Sequence, residues 1–148
     1  MQDVSDNNSS IRLEGGFEAF TPSELFNYFT EPNLLVQWWP REAEVDAKVG
    51  GHYRFSWPDQ GWHLSGEYTV FAPGEALSFT WNWDHERGVR EPMQVSLTIE
   101  PTAPGAKLIV EQKSWDDSPE AQNDRQAVIE GWIHFGMRLA GLKSGEAS

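Results

Sequence analysis

The spacing of hydrophobic residues changes from a strand period to a helix period near the start of the chain. Residues 1–10 are polar and are expected to form a disordered tail. Apolar residues alternate from Ile11 to Phe20 and predict a first strand. A helix start follows, with Thr21 as the N-cap, Pro22 at the first helical position and Glu24 as the acidic partner of a capping box. A second short helix is predicted between two further prolines, because proline ends or opens a helix.

The middle of the chain has a strand period throughout. Residues 42–47 predict a short edge strand, and five alternating strands with short turns follow it, which favours an antiparallel meander that is apolar on one face. A loop is predicted from Asp84 to about Glu91. In one of the five strands, strict alternation puts these residues on one face: Trp62, Leu64, Gly66, Tyr68 and Val70.

The last part of the chain predicts one long amphipathic helix. Ser118 and Pro119 are typical of a helix start. Apolar residues then recur at steps of three and four: Val128, Trp132, Phe135, Leu139 and Leu142. A sheet with one apolar face and one long helix bury their apolar surfaces best when the helix lies across the sheet. The pattern therefore predicts a single α+β domain over residues 11–143, followed by a tail at 144–148.

Composition and charge narrow the possible partners. The chain has 148 residues, a length typical of one domain, and its formal charge of −12 comes from 23 acidic and 11 basic side chains. Such a charge repels phosphates, so neither nucleic acid nor an anionic membrane is expected as a partner. There is no cysteine, no basic and apolar leader, and no run of about 20 apolar residues. The expected compartment is the cytoplasm.

The aromatic content suggests a ligand cavity. The chain has eight tryptophans and eight phenylalanines, which can frame a space as well as fill one. Ligand sites are concave and mostly apolar, so the candidates are the aromatic and aliphatic residues expected to face inward, with the two adjacent tryptophans expected at an entrance. The candidate ligand-binding residues are Trp38, Trp39, Phe55, Trp57, Tyr68, Phe79, Trp81, Trp83, Val95, Leu97, Ile129, Trp132, Ile133 and Gly136. Simple core packing of the same residues is the competing interpretation.

Polar residues give weak evidence for catalysis. The four histidines have no recognisable metal-ligand spacing, and no metal or cofactor is expected. The chain has no nucleophile elbow and no phosphate-binding glycine loop. The acid–base candidates are Glu67, Glu91, Glu111 and Asp116, and alternation puts Glu67 and Glu111 on the outward face. No catalytic residue is assigned, and the interpretation favours a protein that is not an enzyme.

Several short motifs, taken in their order, resemble a known family. They are Thr30-Glu31-Pro32, Gln37-Trp38-Trp39, the segment from Val49 to Phe55, Gly66-Glu67-Tyr68, Pro73 to Leu77, Phe79-Thr80-Trp81 and Gly131-Trp132. In this order they resemble the homologues of the heat-shock-protein ATPase activator (AHSA-like) within the START-like (SRPBCC) helix-grip superfamily. The resemblance covers Ile11 to Leu142, with a departure at Pro104-Gly105-Ala106, where the family often has Gly-Thr.

The resemblance implies a fold and leaves three functions open. The implied fold is a helix grip: a curved antiparallel sheet of six to seven strands around a long C-terminal helix, with two short helices after the first strand. The leading hypothesis is a binder of a hydrophobic, preferably aromatic, small molecule in the cavity between sheet and helix. An enzyme of cyclase or hydrolase type using the same cavity is the alternative. A chaperone-interacting module ranks last, because the chain is expected to lack the additional N-terminal domain that such an activator carries.

Overall fold

The computed structural model describes residues 1–83, 93–113 and 117–144, so the loop predicted from Asp84 to about Glu91 lies outside the described residues. In chain order the elements are β1 (Gln2–Asp3), β2 (Ser10–Phe17), α1 (Pro22–Thr30), α2 (Pro32–Leu35), β3 (Glu42–Val45), β4 (His52–Trp57), β5 (Trp62–Ala72), β6 (Ala76–Trp83), β7 (Met93–Pro101), β8 (Ala106–Lys113) and α3 (Pro119–Ser144). The α+β helix-grip prediction is confirmed.

All strands belong to one antiparallel sheet. Its order is β1-β2-β8-β7-β6-β5-β4-β3, so the chain crosses from one side of the sheet to the other through α1 and α2. The sheet has eight described strands where six to seven were expected, and one of them, β1, comes from the segment expected to be a disordered tail. Gln2 pairs with Glu14 and Asp3 pairs with Leu13 at the edge of the sheet.

The side chain of Met1 explains why residues 1–3 pack against the edge of the sheet. It packs against the hydrophobic core between β2 and α3. A Cβ atom placed on Gly15 would lie 2.8 Å from Met1 Cγ, and one placed on Gly136 would lie 2.8 Å from Met1 Sδ. The two glycines therefore leave space that the methionine occupies, and burial of its apolar side chain holds the segment.

Helix α1 begins where the sequence predicts. Thr21 Oγ1 accepts a hydrogen bond from the backbone N–H of Glu24 at 3.1 Å, and Glu24 Oε1 accepts one from the Thr21 N–H at 3.0 Å. This capping box satisfies two backbone donors of the first turn. The buried face of the helix, Leu25, Phe26 and Phe29, packs into the concave side of the sheet.

Strand β5 departs from simple alternation. The register shifts between Tyr68 and Val70, so an extra residue is inserted at this point of the ladder. Val70 is consequently 42% exposed, and its prediction on the apolar face is wrong. Phe71 takes the inward position instead, where its ring lies 5.5 Å from that of Tyr68 and 5.2 Å from that of Phe26.

Helix α3 is 26 residues long and packs across the sheet. Ser118 Oγ accepts a hydrogen bond from the backbone N–H of Ala121, which caps the first turn. Ile129, Trp132 and Leu139 are buried against the core. Within the described part of the chain, no helix combines the length and apolar character needed to cross a membrane.

Candidate ligand-binding cavity

A cavity of about 440 Å³ lies between one end of the sheet and the middle of α3. Strands β4, β5 and β6 and the segment after α2 supply one side, and one face of α3 supplies the other. The volume falls within the range of about 300–1,000 Å³ that is usual for small-molecule sites. The described residues that line it are Trp39, Trp57, Gln60, Trp62, Trp81, Asp124, Ala127, Val128, Gly131, Trp132 and Phe135.

Four of these residues form what we call the tryptophan cluster: Trp39, Trp57, Trp81 and Trp132. The Trp39 ring stacks on that of Trp81 at 5.9 Å and lies 5.4 Å from that of Trp132. The Trp81 and Trp132 rings are 5.9 Å apart, and the Trp57 ring meets that of Trp39 edge-on at 6.4 Å. Such offset and edge contacts are favourable arrangements of aromatic rings, so the cluster gives the cavity a preformed aromatic wall.

Hydrogen bonds orient two rings of the cluster. The Trp57 indole N–H donates to the backbone oxygen of Trp39 at 3.2 Å, and the Trp132 indole N–H donates to Gln112 Oε1 at 3.1 Å. Gln112 is itself fully buried, and its amide nitrogen contacts Met93 Sδ. Because the polar edges of both indoles are bonded to protein, these two rings offer the cavity mainly apolar ring surface.

The centre of the sheet, where the sequence predicts a cavity, is packed. Phe55, Tyr68 and Phe79 surround a void that has no room for a water molecule, together with Phe29, Trp39 and Tyr53. Phe29 comes from α1, so the short helix fills the concave face that was expected to be open. Val95 and Leu97 are also fully buried in this core.

Other predicted site residues take different places. Trp38 is buried, and its indole N–H donates to the backbone oxygen of Tyr28 at 2.9 Å. Ile129 is buried and Ile133 half-buried against the core, and Gly136 faces Met1. Trp83 pairs with Leu64 at the end of β6. Of the fourteen predicted residues, the cavity brings together the four of the tryptophan cluster.

Seven lining residues were not among the predicted site residues. Five of them lie on one face of α3, at helical steps of three and four, and two lie in the β4–β5 hairpin. The helical stripe was visible in the sequence, but nothing in its period shows that one face of the middle of the helix, from Asp124 to Phe135, borders a cavity while neighbouring residues pack in the core. These residues are Gln60, Trp62, Asp124, Ala127, Val128, Gly131 and Phe135.

Two buried tyrosines in the packed centre of the sheet are held in their neutral form. Burial, with a smaller contribution from the neighbouring Tyr68, raises the pKa of Tyr53 well above its ordinary value. Burial also raises the pKa of Tyr68. Tyr53 donates to the backbone oxygen of Thr80 at 2.5 Å, whereas the Tyr68 hydroxyl has no hydrogen-bond partner among the described residues.

The acid–base candidates of the sequence lie away from the cavity or beyond the described residues. Glu67 is exposed and Glu111 pairs with Arg12 on the outer face of the sheet, while Glu91 and Asp116 lie outside the described residues. His63 Nδ1 lies 2.8 Å from Ser56 Oγ. In the described ranges, no three histidine, aspartate or glutamate side chains come together as a metal site.

Comparison with solved structures supports the fold. The protein MLL2253 of Mesorhizobium loti superposes with a TM-score of 0.78 at 26% identity, over 90% of this chain and 95% of that one. The protein CV1439 of Chromobacterium violaceum superposes with a TM-score of 0.72 at 26% identity, over 92% of this chain and 97% of that one. An HSP90 activator of Plasmodium falciparum, PFC0360w, superposes with a TM-score of 0.73 at 20% identity, over 90% of this chain and 95% of that one. This likeness shows a shared fold.

Sequence comparison gives the family. No curated protein matches the chain. The sequence profile described as "Activator of Hsp90 ATPase homolog 1-like protein" matches residues 19–143, a range that contains α1, α2, the sheet from β3 to β8 and nearly all of α3. The match agrees with the resemblance carried by the short motifs, and the chain belongs to the family of Activator of Hsp90 ATPase homolog 1-like proteins.

Proposed function

We propose that this protein binds a hydrophobic small molecule in the cavity between the tryptophan cluster and α3. The observation that carries the proposal is a space of about 440 Å³ bordered mainly by tryptophan, phenylalanine, valine and alanine side chains. A ligand that occupied it would exchange water for apolar surface, which is worth about 25 cal/mol for each Å² that is buried.

The burial of the inner lining residues supports specific rather than non-specific binding. Trp39 and Trp132 are 7% and 4% exposed and form its inner part, whereas Trp62 is 44% exposed and lies towards solvent. Contacts with neighbouring rings fix both inner rings, and the hydrogen bond to Gln112 also orients that of Trp132. A preformed wall lowers the entropy lost on binding, because few side chains have to be ordered when the ligand enters.

The proposal is tested by titration with Nile red, an uncharged dye whose emission shifts to the blue and brightens in apolar surroundings. The wild type is expected to bind one equivalent saturably. Trp62→Ala should weaken binding by about tenfold, because one aromatic contact of about 1–1.5 kcal/mol is removed.

Val70→Ala is the matched control. Val70 is an equally exposed apolar residue of β5 that does not line the cavity. Its replacement is expected to leave dye binding unchanged. Absence of saturable binding to the folded wild type would refute the proposed function, and equal losses in the two variants would move the site away from this cavity.

A further inference from the structure

We propose that the cavity selects uncharged apolar ligands that carry a hydrogen-bond acceptor, such as the oxygen of an aromatic ketone or lactone, and that the indole N–H of Trp39 donates to this acceptor. The inference rests on the proposed function and names the chemical class of its ligand. Two features carry it: the hydrogen bonding of the buried tryptophans, and the lack of a basic side chain among the described lining residues.

The first feature is a hydrogen-bond donor that the protein itself does not satisfy. Trp38, Trp39 and Trp132 are the most buried tryptophans of the described chain, at 1%, 7% and 4% exposure. The indole N–H of Trp38 donates to the backbone oxygen of Tyr28, and that of Trp132 donates to Gln112 Oε1. The indole N–H of Trp39 has no hydrogen-bond partner among the described residues.

The Trp39 indole nitrogen is in contact with open space. In the described chain, the Tyr68 hydroxyl is the one buried polar side-chain atom that has neither accessible surface nor a partner, so the Trp39 nitrogen keeps accessible surface. Trp39 borders the void at the centre of the sheet, which has no room for a water molecule, and it borders the cavity. We therefore place its N–H on the wall of the cavity, within reach of a ligand.

The position of this donor is fixed before a ligand enters. The backbone N–H of Trp39 donates to the Leu35 oxygen at 3.0 Å, and its backbone oxygen accepts from the Trp57 indole at 3.2 Å. The rings of Trp81 and Trp132 contact its side chain. A ligand that expels water from the donor without supplying an acceptor leaves it unpaired in apolar surroundings, which is unfavourable. A ligand with a suitably placed oxygen avoids this loss.

The second feature, the charge of the surroundings, favours an uncharged acceptor. None of the described lining residues is lysine, arginine or histidine, so an anion would find no cationic partner among them. Burying an ionised carboxylate in apolar surroundings costs far more than one hydrogen bond returns. The net charge of −12 also lowers the local concentration of anions near the protein. A carbonyl oxygen on an apolar body therefore suits the cavity better than a fatty acid does.

The test compares benzophenone with 1,1-diphenylethylene, two ligands of nearly the same shape that differ in having C=O or C=CH2 at the centre. Dissociation constants are measured by displacement of Nile red, and the preference is the dissociation constant of diphenylethylene divided by that of benzophenone. Trp39→Phe keeps an aromatic ring and removes the N–H. It is expected to lower the preference about fivefold, which is the effect of one hydrogen bond.

Trp57→Phe provides a matched control, because it makes the same change in the tryptophan cluster at an indole N–H that already donates to the protein. It should weaken the binding of both ligands and leave the preference as in the wild type. A preference that falls equally in both variants, or in neither, would overturn the inference and leave the proposed function standing. Failure of benzophenone to displace bound Nile red from the wild type would do the same, and failure of Nile red itself to bind would overturn both.

A second readout uses the wild type alone and so does not depend on the folding of a variant. The two ligands carry the same pair of phenyl rings and exert similar ring currents, so a difference between their effects on the Trp39 indole N–H proton reports the hydrogen bond. This proton should lie further downfield with benzophenone than with diphenylethylene. Equal shifts with the two ligands would overturn the inference.

Discussion

Replacing Gly131 by leucine is expected to fill the cavity without disturbing the fold. Gly131 lies on the face of α3 that lines the cavity, and a Cβ atom built on it meets no heavy atom within 4 Å. Its backbone is part of the helix, so a side chain introduces no strain. Gly141 offers a matched site on the same helix, since it also has open space around its Cβ and does not line the cavity.

The two variants should have the same effect on stability, but only Gly131→Leu should weaken binding. Leucine in place of glycine inside a helix stabilises by up to about 1 kcal/mol, so both proteins should be at least as stable as the wild type. If leucine at position 131 displaces about 100 Å² of ligand contact, binding weakens by about 2.5 kcal/mol, or about 70-fold. Gly141→Leu should bind as the wild type does.

The assay combines urea denaturation with Nile red titration on the three proteins. Stability that is kept or raised in both variants, with binding lost only in Gly131→Leu, is the expected result. Wild-type affinity in a folded Gly131→Leu protein would refute the reasoning, because the ligand would then occupy another surface. A large loss of stability in that variant would show that the space is not open as described.

Two further pairs of variants test the packing around the site. Gly66→Ala should lower the free energy of unfolding by more than about 3 kcal/mol in urea denaturation, because its Cβ would come within 2.0 Å of the Thr80 backbone oxygen. Gly16→Ala, which has open space around its Cβ, should not. Similar losses of stability in the two variants would contradict the close approach of β5 and β6. Tyr68→Phe should be neutral or stabilising by about 1 kcal/mol, because it removes a buried hydroxyl without a described partner. Tyr53→Phe should cost about 1 kcal/mol, because it removes the hydrogen bond to the Thr80 backbone oxygen. A destabilised Tyr68→Phe protein would reveal a partner for that hydroxyl.

The parts of the fold that depend on local chemistry could be predicted from the sequence. The capping box of Thr21 and Glu24 involves residues three apart, so its geometry follows from their identity. The helical stripe of α3 and the alternation of the strands are local in the same sense. The position of Val70 was not predictable, because an inserted residue shifts the register and nothing in the strand composition marks it.

The site was predicted only in part because it depends on packing between distant segments. The sequence shows that Phe55, Tyr68 and Phe79 are inward-facing, but Phe29 from α1 decides that the space between them is closed. The space stays open at the end of the sheet, beside the middle of α3, and Asp124 becomes a lining residue there for the same reason. Periodicity identifies the apolar face of an element, while the volume left between faces is set by side chains far apart in sequence.

The most direct test of the account is a ¹H–¹⁵N spectrum recorded during titration with tert-butylbenzene, a compact neutral hydrophobic probe. The account predicts saturable shifts of the Trp57, Trp81 and Trp132 indole N–H signals, and of the Gly131 amide, all of which belong to cavity-lining residues. The amide of Gly16 on β2, which does not line the cavity, should stay in place. Shifts confined to residues outside the cavity, or an unchanged spectrum at saturating ligand, would contradict the central claim.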